Sequence, residues 1–157
     1  MNQSRWGFVG DLRRDLQVGE IRPGLILGSQ DVAQSLETLE KYSVTHVLNV
    51  ATGVENLYPD KFTYKSIKLY DLPDSNITVV FDEAFKFIDE GRKSGCVLVH
   101  CNAGISRAAS IIIGYLMKTE KMSFSDGFWY VKGKRPVIHP NAGFVDQLRD
   151  YEYFLKI

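Results

Sequence analysis

One stretch constrains this chain more than any other. Val97-Leu98-Val99-His100 is a short apolar, β-branched run that reads as a buried strand. Cys101-Asn102-Ala103-Gly104-Ile105-Ser106-Arg107 follows, and after it comes Ala108-Ala109-Ser110-Ile111-Ile112-Ile113-Gly114-Tyr115-Leu116-Met117, apolar and long enough for a helix. A strand, a tight loop and a helix in that order turn the loop's N–H groups and the helix N-terminus toward one point, which suits an anion. Arg107 adds a planar fork of donors fitted to two phosphate oxygens. Cys101, at the strand's end, lies in the same positive field, which favours its thiolate. A thiolate held beside a phosphate-shaped group is equipped to attack phosphorus through a covalent cysteinyl-phosphate. The bland reading, a buried Cys and an ordinary helix Arg, leaves a cation facing the positive end of a helix dipole.

His100-Cys101-Asn102-Ala103-Gly104-Ile105-Ser106-Arg107 resembles the signature loop of the cysteine-dependent protein phosphatases. With Tyr115-Leu116-Met117 it resembles their dual-specificity branch, a small atypical member in particular. The likeness runs from Asp15 to Phe154 and includes Leu25-Ile26-Leu27-Gly28-Ser29, Thr45-His46-Val47-Leu48-Asn49-Val50 and Arg135-Pro136 with Pro140-Asn141-Ala142-Gly143-Phe144. It implies an α/β fold with a five-stranded, mostly parallel central sheet flanked by about six helices. It also implies hydrolysis of phosphotyrosine and phosphoserine/phosphothreonine in proteins, with targets in mitogen-activated protein kinase pathways.

Length and composition fit that frame. A chain of 157 residues suits one domain with one core, spanning 1–157, with the residues before about 12 loosely held. Lys+Arg and Asp+Glu both number 19, so no basic excess argues for nucleic acid or a membrane surface. No apolar run reaches the length of a membrane span, and the first residues carry neither a signal-peptide core nor a myristoylation glycine. Cys96 and Cys101 are five apart on one predicted strand, about 16 Å with opposite facing, so they do not bridge. A free, activated Cys101 points to the cytoplasm or nucleus.

Along the chain, 18–21 and 25–27 read as a hairpin around Arg22-Pro23-Gly24. Ser29 and Asp31 open short helices, one running over 36–42, and strands are expected at 45–50 and 64–69. Asp74-Ser75-Asn76 offers caps for a helix with Phe81, Ala84, Phe85 and Ile88 on one face, ending near Gly91. The helix after the loop is apolar all round and therefore central. Ser123 and Asp126 open another helix, stopped by Gly133 and Pro136, and Asn141 caps a last one through Leu155.

The chemistry assigns further residues. The departing oxygen needs a proton, so a carboxylic acid is expected on a nearby loop. Asp71 follows a strand and precedes a capped helix, and the resemblance places the acid there; Asp74, by its spacing, reads as an N-cap. Ser106 can donate to the Cys101 sulfur or serve as a plain helix cap. His100 points away from its neighbour Cys101, so it orients the loop rather than forming a dyad. By resemblance, Arg135 lies near the site's rim, where it would take a second phosphate or an acidic substrate residue. Asn141 caps its helix and stands close to the loop. Gly133-Lys134 continues with Arg135 rather than Ser or Thr, so the nucleotide-type phosphate loop is absent. Without metal-ligand spacing or a dinucleotide fingerprint, the expected enzyme needs no cofactor. Two rivals are a phosphoinositide or RNA 5′-phosphatase, disfavoured by neutral Asn102, Ala103 and Ile105, and a noncatalytic phosphopeptide-binding scaffold, disfavoured by Cys101, Arg107 and Asp71.

Overall fold

Among the described residues the apolar runs become five strands and six helices. β1 (Gly19–Arg22) and β2 (Leu25–Gly28) form the hairpin; α1 (Gln30–Ala33), α2 (Leu36–Lys41), β3 (Val44–Asn49) and β4 (Thr63–Ser66) follow. A 3₁₀ turn, Thr78–Val80, leads into α3 (Phe81–Ser94), then β5 (Cys96–His100), α4 (Arg107–Glu120), α5 (Phe124–Lys134) and α6 (Ala142–Leu155). The computed structural model describes residues 13–157, so the expected loose terminus before residue 12 lies outside the described residues.

The sheet runs β1-β2-β5-β3-β4 and is parallel except for β1. This is the expected α/β architecture. Side chains alternate along the central β5. Val97 and Val99 face the larger core with residues of α3, α4, α5 and α6, whereas Cys96 and Leu98 face a smaller one with Val32, Ala33 and Leu39. Cys101 belongs to the first core and Cys96 to the second, and both are free thiols. In α4 every residue from Arg107 to Met117 is buried. With no polar face it runs through the middle of the helical layer, and each buried Ile contributes about 1.5–3 kcal/mol.

Three local expectations change. Gly91 does not end α3, which continues to Ser94; a Cβ there would lie 2.3 Å from Val97 Cγ2, so the glycine lets the helix approach the sheet. β4 stops at Ser66 because only β3 pairs with it. Asn76 sits one residue ahead of the 3₁₀ turn's cap position, its Oδ1 accepting from Thr78 N–H at 3.1 Å, while Asp74 caps neither the turn nor α3.

Gly28, His100 and Asn49 stand level at the carboxyl ends of β2, β5 and β3. The loop after β5 therefore opens at the end of a parallel sheet where ligands of α/β folds bind.

Candidate active site

The loop is shaped by where its carbonyls go. Cys101 C=O accepts from His100 Nδ1, Asn102 C=O from Gln30 N–H, Ala103 and Gly104 C=O from Arg135, Ile105 C=O from His139 N–H, and Ser106 C=O from Ser110. Six consecutive carbonyls are thus drawn away from the loop's centre. No peptide bond among the described residues is cis, and in a trans unit the N–H opposes the C=O. The N–H groups of residues 102–107 therefore face the other way, as a concave nest for an anion. Gly104 N–H demonstrates it by donating to Cys101 Sγ at 3.2 Å. Gly104 has φ +67°, and a Cβ there would sit 2.4 Å from Gly28 O, so no other residue fits.

Arg107 opens α4 and is buried, only 8% exposed as a residue. Nη1 donates to Leu69 O at 3.0 Å and Thr52 Oγ1 at 3.4 Å, and Nη2 donates to Asn102 Oδ1 at 2.7 Å. Nε is the buried polar side-chain atom without a partner among the described residues. Five donors less three bonds leaves Nε–H and one Nη2–H, a parallel pair whose geometry suits two oxygens of an anion such as phosphate. Three neutral acceptors thus hold the cation against the helix dipole and aim its free edge.

The other predicted residues converge on the same loop. His100 is buried, and desolvation lowers its pKa to about 4, so it is a neutral ring whose Nδ1–H holds the Cys101 carbonyl. Asn141 binds in three directions. Its Oδ1 accepts from Phe144 N–H and caps α6, its Nδ2 donates to Asp71 Oδ1 at 2.8 Å, and its backbone N–H donates to Ser106 Oγ at 2.9 Å. Asp71 is thereby tied to the loop of residues 101–107, and it lies two residues from Leu69, whose carbonyl holds Arg107. The expected bond from Ser106 to sulfur is not made; Ser106 Oγ instead accepts from Asn141, and it caps no helix N–H.

Arg135 corrects the sequence reading outright. It is not at the rim, because its side chain is 0% exposed and its five N–H groups bind Ala103 O, Gly104 O, Gln17 O, Gln17 Oε1 and Asp15 Oδ2. No donor remains for a second phosphate. Sequence reasoning also missed Gln30, Thr52 and the Leu69 carbonyl. Gln30 and Thr52 flank the strand ends that meet the loop, a weak signal, and a carbonyl acceptor has none. Among the described residues, no three His, Cys, Asp or Glu side chains are gathered as a metal ion requires.

Residues 25–154 match the family described as "Dual specificity phosphatase, catalytic domain". The chain belongs to the dual specificity phosphatases. Mouse dual specificity protein phosphatase 19 is 55% identical over 147 residues, 93% of this chain and 67% of that protein. The Dictyostelium discoideum MAP kinase phosphatase with leucine-rich repeats protein 3 is 45% identical over 134 residues, 85% of this chain but 16% of its own length. Among solved structures, the human tyrosine phosphatase-like serine/threonine/tyrosine-interacting protein superposes with a TM-score of 0.82 at 38% identity, covering 89% of this chain and 98% of that one. This dual specificity phosphatase therefore carries the catalytic domain over most of its length, and its fold is the family's.

Proposed function

We propose that Cys101 Sγ attacks the phosphorus of a phosphotyrosine, phosphoserine or phosphothreonine side chain bound in the nest of residues 101–107. The sulfur–phosphorus bond forms as the bond from phosphorus to the side-chain oxygen breaks. Asp71 gives its proton to that oxygen. Water then attacks the cysteinyl-phosphate, Asp71 takes its proton, the sulfur leaves as thiolate and inorganic phosphate is released. Arg107 and the loop N–H groups hold the three phosphoryl oxygens throughout, with stabilisation concentrated where charge builds. Ser106 fixes Asn141, and its own hydrogen is free to support the departing sulfur.

The observation that carries this reading is the outward pull on six consecutive carbonyls, which leaves N–H groups and the free edge of Arg107 around one sulfur. A phosphopeptide-binding scaffold would use the nest and the arginine but has no use for Asp71 tethered beside them. Rapid mixing with an aryl phosphate tests the mechanism. A burst of aryl alcohol equal to the enzyme, with phosphate recovered on Cys101 after acid quench, is expected. Steady turnover without any trapped phosphocysteine would overturn it.

We extend the reading to phosphoprotein substrates of mitogen-activated protein kinase pathways, supported by the name of the Dictyostelium relative. A reduced compartment, cytoplasm or nucleus, suits an enzyme that depends on a free thiolate. A Cys101→Ser trap should retain phosphorylated kinases of that class over unrelated phosphoproteins; equal retention would defeat the extension.

A further inference from the structure

The segment ahead of β1, residues 13–18, has neither strand nor helix, yet it is held at both ends. Ser29 Oγ donates to Asp15 O at 2.8 Å, and Asp15 N–H donates to Asp31 Oδ2 at 2.8 Å. Gln17 Nε2 donates to Lys134 O at 3.0 Å, at the end of α5. Between these anchors Arg135 lies fully buried. It donates to Gln17 O at 2.9 Å, Gln17 Oε1 at 2.8 Å and Asp15 Oδ2 at 2.7 Å on one side, and to Gly104 O at 2.9 Å and Ala103 O at 2.7 Å on the other.

We propose that Asp15 and Gln17 are positioning residues of the phosphate site, acting through Arg135 on the carbonyls of Ala103 and Gly104 and so on the peptide unit that aims the Gly104 N–H at Cys101. This rests on the phosphatase reading above. The peptide unit joining Ala103 to Gly104 is gripped at both ends: Arg135 holds its carbonyl, and its N–H points at Cys101 Sγ. A planar unit cannot turn its N–H inward unless its C=O turns outward. A guanidinium is a rigid plane, so where it sits decides where those carbonyls sit. What fixes it is the other three bonds, all from Asp15 and Gln17. Asp15 is also its paired counter-charge, the condition for keeping a cation buried. Burial opposes ionisation of Asp15, but the bond and charge of Arg135 outweigh it and hold the carboxyl below its usual range. The family match begins at residue 25, so these two residues lie outside the recognised catalytic domain while steering its centre.

The test compares the wild-type chain with Asp15→Ala, Asp15→Asn, Asp15→Glu and Gln17→Ala, all well below their melting temperatures. The readouts are the pH profile of Cys101 alkylation by iodoacetate, inhibition by vanadate, and kcat and KM on an aryl phosphate. Asp15→Ala should shift the alkylation profile to higher pH and weaken vanadate by about tenfold, less than the 10²–10³ for deleting an anion donor outright. Asp15→Asn and Gln17→Ala should move both readouts the same way, and Asp15→Glu should restore them in part. If Asp15→Ala does not fold, Asp15→Asn, similar in shape, carries the same comparison. Lower melting temperatures with unchanged alkylation profile and vanadate inhibition would overturn the proposal alone. A wild-type Cys101 that vanadate does not protect would overturn the phosphatase reading and this proposal together.

Discussion

Asn141 and Asp71 meet through one hydrogen bond, Nδ2 to Oδ1 at 2.8 Å, although 70 residues separate them in sequence. The same asparagine caps α6 and donates its backbone N–H to Ser106. One side chain thus sets the helix start, the loop and the proposed acid in a common frame.

Replacing Asp71 with Ala should lower kcat about 10²-fold or more on phosphates with poor leaving groups. The loss should shrink on an activated aryl phosphate, whose oxygen departs with less help. Asn141→Ala should show a smaller loss with the same leaving-group trend, and about 1 kcal/mol of destabilisation from the missing cap. A leaving-group series on both variants measures this. Exposed Asp74, without a cap partner, should give no such trend when changed to Ala.

The two thiols should react very differently. Cys101 Sγ accepts from Gly104 N–H inside the loop, whereas burial, aided by the charge of Glu20, pushes the Cys96 thiol up. Iodoacetate at pH 6 should therefore carboxymethylate Cys101 well ahead of Cys96, and vanadate should block it. Peptide mapping by mass spectrometry gives the ratio; equal labelling in the folded protein would refute the nest.

Arg135→Lys replaces a planar fork bearing five bonds with one ammonium bearing three donors. The buried carbonyls of Ala103 and Gly104 would lose a donor, so stability should fall by about 1–3 kcal/mol in denaturant unfolding. Catalysis should fall alike on Thr-x-Tyr peptides phosphorylated at one or both positions. A loss confined to the doubly phosphorylated peptide would restore the rim position that burial rules out.

His100 predicts an acid-sensitive stability. Its folded pKa of about 4 lies below the ordinary 6.5, so between those values the unfolded chain binds a proton that the native ring refuses. Stability contributed by the neutral ring is whole above pH 6.5, declines as pH falls to about 4 and then levels off. The gap corresponds to about 3 kcal/mol. Urea melts at pH 7, 5.5 and 4 should show the decline, and His100→Asn should flatten that part of the curve.

How much of this was legible in the sequence follows from distance along the chain. Cys101, Gly104 and Arg107 are local to one another, and the strand before them and helix after them fix their geometry, so the nest could be read directly. The hairpin, the apolar α4 and the Asn141 cap carry periodic or capping signals and fell where expected. Arg135 could not be placed, because its partners lie 31, 32, 118 and 120 residues away and its neighbours Lys132 and Lys134 resemble a solvated face. Gly91 looked like a helix stop because close packing on Val97 leaves no mark in its own segment. Ser106 had two local uses on paper, and a long-range donor, Asn141 N–H, took its oxygen instead.

The outward pull on the loop carbonyls also imposes an order on synthesis. Chains emerge from the ribosome N-terminus first, so Cys101 leaves well before Arg135 and His139. Until those residues arrive, Ala103, Gly104 and Ile105 have no donor for their carbonyls, and nothing turns the adjoining N–H groups toward the sulfur. A nascent chain that ends before Arg135 therefore has Cys101 without the loop conformation that surrounds it in the folded domain. The arrangement that turns those N–H groups toward Cys101 is complete only once Arg135 and His139 have docked on the loop.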